Sequence, residues 1–338
     1  MKIDTFAHIQ PPTYSKRVRA ALERGADRDA LHEWDLMLRE DPALLDLDAR
    51  WHSMDRFDDY RQILVPGAPA IESLGTPQEV AAIARDLNDE LAALVSSYPE
   101  RFAGFAAALP MTDVELALAE LDRAVTRLGA LGAQVYTNVL GKPLDLPEFD
   151  PIFARAQELD RMLWLHPQRS ESRSDYPDAG ELESRYEIYW TFGWPYETAT
   201  AMARLVYSGV MERYPQLKII THHGGGLVPH MRGRLREWPW GDEAAAVRER
   251  LRKHPVEYLK QFYADTAMMG ASHALRCTLE FFGIDHVLFG SDFGFGNDYL
   301  AKTIIDITEL HLDPVIQEQL YHGNAERLLL APASAAAV

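Results

Sequence analysis

Cysteine is almost missing from this chain. Cys277 is the only one among 338 residues, so no disulfide can close within the chain, and a reducing cytoplasm is the expected setting. Long hydrophobic runs are missing too. No apolar stretch approaches the roughly 20 residues that cross a bilayer. Residues 2–6 read directly as a strand, with no basic-then-apolar leader before them. Positive charge is scarce: 34 lysines and arginines stand against 51 aspartates and glutamates, a formal net charge of −17. That balance argues against nucleic acid and anionic membrane as partners. It leaves room for a small acidic substrate, because a few local arginines dominate a single pocket. Internal repeats and low-complexity segments are also lacking until the tail 331–338, APASAAAV, which is expected to fray.

What the chain does have is alternation. Short apolar runs fall at 2–6, 61–66, 102–109, 132–136, 162–167, 217–223, 261–267 and 286–292. Amphipathic patterns with helical spacing lie between most of them, at 76–99, 114–128, 149–160 and 195–215, the first with Pro77 at its opening turn. Strands separated by helices predict a parallel sheet, because every return needs a crossover. Closed on itself, that sheet is a (β/α)8 TIM barrel, here expected as one domain over residues 1–330. Residues 9–60 and 167–190 exceed a minimal barrel. Both follow strands, so both are expected at the C-terminal mouth as lids or pocket walls.

Four of the eight strand ends carry groups able to bind a metal or move a proton. The first delivers His8, the fifth His166, the sixth His222 and His223, the eighth Asp292. Strand C-termini converge in a barrel however far apart they are in sequence. Neutral imidazole and carboxylate suit Zn²⁺, Mn²⁺ or Fe²⁺. Each residue alone has a plainer reading: a strand-end histidine is usually a hydrogen-bonded structural group, and an aspartate before an aromatic is often a turn former or helix cap. Their joint placement favours a shared site, since His254, His273 and His311 sit in ordinary helical or loop settings. Neighbouring strand residues face opposite ways. One of His222 and His223 should therefore face the mouth, unless the strand has already ended. Gly224, Gly225 and Gly226 then allow a sharp turn and close approach of backbone to a ligand.

Several stretches together resemble the amidohydrolase superfamily. They are KIDTFAHIQP at the start, LHP at 165–167, WPYET and GVMERYPQLK before the sixth strand, HGGGLVP with GR after it, FYAD, GSD and GNA. The likeness spans nearly the whole chain. It is closest to the branch of non-oxidative decarboxylases that includes aminocarboxymuconate semialdehyde and γ-resorcylate decarboxylases. The resemblance implies one divalent metal, Zn²⁺ first and Mn²⁺ as the alternative, held by His8, His166 and Asp292. It implies acid–base work for His223, a carboxylate-binding role for Arg50, and a pocket wall at Trp190. It also implies a homodimer or homotetramer. One departure stands out: similar chains carry a histidine or glutamate where this one has Phe6, which cannot bind a metal.

Loss of CO2 from an aromatic or enol acid needs an anion stabilised and a proton delivered to carbon. A metal does the first. His223 suits the second near neutral pH, with Asp292 as the other candidate once its pKa is tuned upward. Arg50 or Arg169 could grip a carboxylate through paired hydrogen bonds, and Trp190, Phe293 and Phe295 could wall a planar substrate. The expected function is therefore a metal-dependent decarboxylase of a hydroxybenzoate-like acid. A hydrolase of an ester, lactone or amide and a hydratase are alternatives on the same site. A non-catalytic barrel emptied by Phe6 is the third reading.

Overall fold

The apolar runs become eight strands. The structure, a computed structural model, describes residues 1–25, 28–235, 243–295 and 298–331. The strands are β1 (Lys2–Ile9), β2 (Tyr60–Pro66), β3 (Phe102–Ala108), β4 (Gly132–Tyr136), β5 (Met162–His166), β6 (Lys218–Thr221), β7 (Tyr263–Asp265) and β8 (Val287–Leu288). Each pairs in parallel with the next, in sequence order, forming one curled sheet. The first and last strands also approach each other. Thr5 N donates to Phe289 O at 2.8 Å, His8 N donates to Phe293 O at 2.7 Å, and Ala7 and Phe293 form an isolated parallel bridge. The β5 indole of Trp164 reaches across the curl to donate to Thr5 O at 2.9 Å. The seam between β8 and β1 thus rests on a few bonds and not on a continuous ladder.

Helices supply the crossovers. α1 (Pro12–Arg24), α2 (Arg28–Glu40) and α3 (Leu47–Met54) fill most of the insertion between β1 and β2. α4 (Pro77–Ser97) starts where the sequence suggests: Thr76 and Glu79 form a reciprocal capping box and Pro77 opens the helix. α5 (Val114–Leu128) is capped by Asp113 and stopped by left-handed Gly129. α6 (Asp150–Glu158) precedes β5. The expected helix over 195–215 is instead α7 (Gly193–Tyr207) followed by a separate turn Val210–Arg213, broken at Gly209 with φ 83°. Residues 167–190 form mostly turns, ending in the short helix Ile188–Thr191. α8 (Ser272–Phe282) and α9 (Tyr299–Glu309) follow β7 and β8. From residue 332 the tail lies outside the described residues. Among those described, no helix is long and apolar enough to cross a membrane.

Two apolar layers hold this arrangement. Ile3, Phe6, Ile63, Val65, Trp164 and Ile220 fill the inside of the curl. A larger layer, including Leu64, Phe105 and Leu163, packs the outer face against helix residues such as Leu87 and Leu121. Ile3 and Phe6 share the inside although they are an odd number of residues apart. A register shift between Asp4 and Ala7 explains it, because a bulge re-aims every later side chain. Phe6 and His8 therefore point inward together, while Asp4 points out toward Tyr60 and Ser291.

Candidate metal centre

Donors from four strand ends meet at the end of the curl. The ligand nitrogens of His8, His166 and His222 lie within 4.8 Å of one another, and so do the ligand atoms of His222, His223 and Asp292. All but His223 are buried. Three of the rings have a committed Nδ1. His8 Nδ1 donates to Pro66 O at 3.1 Å and His166 Nδ1 donates to Pro167 O at 2.8 Å. A carbonyl only accepts, so in these two rings Nδ1 holds the proton and Nε2 is a bare lone pair. The Nδ1 of His222 pairs with Asp265. The Nε2 atoms of His8 and His222 each stand 3.2 Å from Asp292 Oδ1, and His8 Nε2 is buried with no hydrogen-bond partner. An orphaned buried acceptor aimed at a carboxylate calls for a shared cation. Imidazoles whose far nitrogen is pinned to an oxygen are the usual dress of a metal ligand. The residues present fit one divalent ion.

The backbone pays local strain to assemble this cluster. β6 ends at Thr221, two residues before the apolar run does. His222 is extended (φ −77°, ψ 159°) and His223 is left-handed (φ 54°), so both rings turn inward and stack, 3.8 Å between centroids. The chain then needs Gly226, because a Cβ there would lie 2.5 Å from Pro195 O. Asp292 is also left-handed (φ 60°). Such residues persist only when their surroundings fix them. Asp4 does so from behind: its Oδ1 accepts from Ser291 N at 3.0 Å and its Oδ2 accepts from the Ser291 hydroxyl and from Tyr60 OH.

The charges follow from burial and neighbours. Burial, aided by the other histidines, holds His166 well below its ordinary pKa, in the neutral form a ligand needs. Burial alone would raise Asp292, but the charge of His222 and its hydrogen bond hold it well below the carboxylate range. Burial likewise works against a proton on His222, and Asp265 and Asp292 overcome it, raising that ring to about 9. His223 is lowered, first by burial and then by His222.

The sequence pattern of the amidohydrolase family matches residues 3–330. The chain belongs to the amidohydrolase family. It is 30% identical over 285 residues to the 2-amino-3-carboxymuconate-6-semialdehyde decarboxylase of Dictyostelium discoideum, covering 84% of this chain and 76% of that one. It is 33% identical over 303 residues to the γ-resorcylate decarboxylase of a Polaromonas species, covering 84% and 88%. The solved structure of a Polaromonas dihydroxybenzoic acid decarboxylase, with bound manganese and the inhibitor 2-nitroresorcinol, has a TM-score of 0.79 at 26% identity, over 97% of this chain and 96% of that one.

In this amidohydrolase the expected site residues divide. His8, His166, His223 and Asp292 come together. Arg50 does not join them. It is wholly buried behind β1, where Nε donates to Gln62 Oε1 at 2.7 Å and Nη1 donates to His8 O at 2.9 Å and Ala43 O at 3.0 Å. Phe293 packs with it: the guanidinium sits 4.8 Å from that ring's centroid. The aromatic at the site is Phe295, 5.2 Å from the His8 ring. Trp190 is half-buried in its short helix, and the indole beside the histidines is Trp194, 5.4 Å from His166 and 6.2 Å from His223. Tyr136 flanks His166 as well, at 5.4 Å. Three of these contributors carry weak sequence signals: His222 was one of a pair of which a single member was expected to face the mouth, Asp265 was one letter of FYAD, and Trp194 was one letter of WPYET.

Proposed function

We propose that this amidohydrolase is a metal-dependent decarboxylase of small aromatic acids carrying a hydroxyl beside the carboxylate. The observation that carries the reading is the meeting of His8 with His166 and, at 3.2 Å, with Asp292, with a bare buried nitrogen on His8, in a chain related to hydroxybenzoate decarboxylases. A divalent ion held by these residues would supply Lewis-acid polarisation of a bound hydroxybenzoate. The side chains do the rest. Trp194 and Phe295 hold a planar ring against the histidines. His223, at the outer side of the cluster with Nε2 3.6 Å from Asp292 Oδ2, carries the proton for the ring carbon. Its lowered pKa makes the protonated imidazole a stronger acid, and ionised Asp292 steadies it. Zn²⁺ suits the histidine-rich donors, with Mn²⁺ as the alternative. The same proposal includes a closed (β/α)8 TIM barrel in one domain over residues 1–330, 9–60 and 167–190 as pocket walls, a homodimer or homotetramer, and a cytoplasmic setting.

The test is a screen of metal-loaded protein against 2-hydroxybenzoates, with CO2 release as the readout. Release that stops with a chelator and returns with added ion is the expected result. Turnover of esters or lactones with no CO2 from any hydroxybenzoate would refute the proposal.

A further inference from the structure

We infer that His222 is a metal ligand that takes over the work Phe6 cannot do, and that Asp265 is its positioning residue. This rests on the metal-dependent reading above and concerns how the ion is held. Phe6 leaves His8, His166 and Asp292 as the donors expected from the strand ends. The Phe6 ring lies face to face with the His222 imidazole, 4.1 Å between centroids and 7° from parallel. The aromatic on β1 therefore serves as the wall against which a histidine from beyond β6 is laid. His222 meets each requirement of a ligand. It is fully buried, its nitrogen falls within 4.8 Å of those of His8 and His166, and its Nε2 is 3.2 Å from Asp292 Oδ1. Donors about 2.0–2.1 Å from a zinc ion stand about 3.4 Å apart at tetrahedral angles, a spacing that this carboxylate contact already has.

Asp265 gives His222 the far-side partner that the carbonyls of Pro66 and Pro167 give His8 and His166. One of its oxygens takes the His222 Nδ1, and the other accepts from Gly224 N at 2.8 Å and Ala267 N at 3.2 Å. The carboxylate is thus fixed by backbone before it orients the ring. His223 lacks this support. Its Nδ1 is buried without a partner and its Nε2 is farther from the carboxylate, at 3.6 Å. The two adjacent histidines divide their work: His222 holds the ion and His223 stays free to carry a proton.

X-ray absorption of the zinc-loaded wild-type protein counts the imidazoles on the ion. Three are expected, and still three in His223→Asn. Two in the wild type, or a fall to two in His223→Asn, would overturn the inference. Competition with a chromophoric chelator gives the second readout. His222→Ala should weaken zinc binding about 100-fold or more, Asp265→Asn about 10- to 100-fold, and Phe6→His added to His222→Ala should recover at least part of the loss. A folded His222→Ala with wild-type zinc affinity would overturn the assignment. A wild-type protein that takes up no ion would instead refute the metal-dependent reading on which it rests.

Discussion

Arg50→Met separates two roles for one residue. A cation that grips substrate and a cation that holds the backbone of β1 fail differently when removed. Arg50 donates to three oxygens, the carbonyls of His8 and Ala43 and the side chain of Gln62. Methionine keeps much of the buried stem but offers no donor. Stranding three acceptors at about 2 kcal/mol each costs about 6 kcal/mol. Against this stands relief from burying a charge: burial pulls the guanidinium down to about 10, with Tyr60 and Asp4 opposing it, a penalty of about 3 kcal/mol. The net expectation is a loss of about 3 kcal/mol, or about 6 °C in Tm at about 2 °C per kcal/mol for a chain this long. Calorimetry with and without metal reads it, and kinetics on the hydroxybenzoate found by the CO2 screen reads the other role. The KM of the folded variant should stay within about twofold. An unchanged Tm with KM raised tenfold or more would show that the structural reasoning is wrong and that Arg50 meets the substrate.

Three further outcomes are expected. Asp292→Asn should keep the fold, since asparagine accepts a left-handed backbone, and lower kcat by about 10²- to 10⁴-fold; near-native turnover would dismiss Asp292 from the site. Trp194→Ala should raise KM for an aromatic acid about threefold to tenfold, the worth of one ring contact, while Trp190→Ala leaves it alone; the reverse pattern would reassign the pocket wall. Asp4 gives a pH signature. Burial, only partly offset by hydrogen bonds from Ser291 and Tyr60, pushes its carboxyl up to about 6. The folded chain then holds this proton more tightly than the unfolded chain does. Its contribution is greatest below about pH 4 and falls by about 3 kcal/mol as pH rises to about 6. Denaturant titrations across that range should lose this slope in Asp4→Asn, and an unaltered slope would clear Asp4 of it.

The alternation of strands and helices, and the four strand ends that carry donors, were legible because both depend on local pattern. What escaped depends on geometry between strands. Nothing local reveals that β6 stops at Thr221, yet that early stop is what turns both His222 and His223 inward. The bulge between Asp4 and Ala7 is equally silent in sequence, and it decides that Phe6 and His8 share the inside of the curl while Asp4 faces out. Arg50 sits among acids and aromatics that suit a pocket as well as a wall. Only the placement of α3 behind β1 shows that it faces the carbonyl of His8. Trp190 and Trp194 are four residues apart, and a resemblance that points to Trp190 does not show that Trp194, in the first turn of α7, is the one beside the histidines.

The bond from Ser291 to Asp4 joins residues 287 positions apart. The same seam brings His8 to Asp292, so the centre exists only after the two ends of the fold have met. Closing so long a loop must be compensated by many contacts made beforehand. The complete donor set proposed for the ion, Asp292 included, is thus assembled only when this seam closes. During synthesis, a nascent chain that has not yet reached β8 lacks Asp292 and the seam that brings it to His8. Full metal affinity, with Asp292 among the proposed donors, should therefore appear only after β8 has joined the sheet.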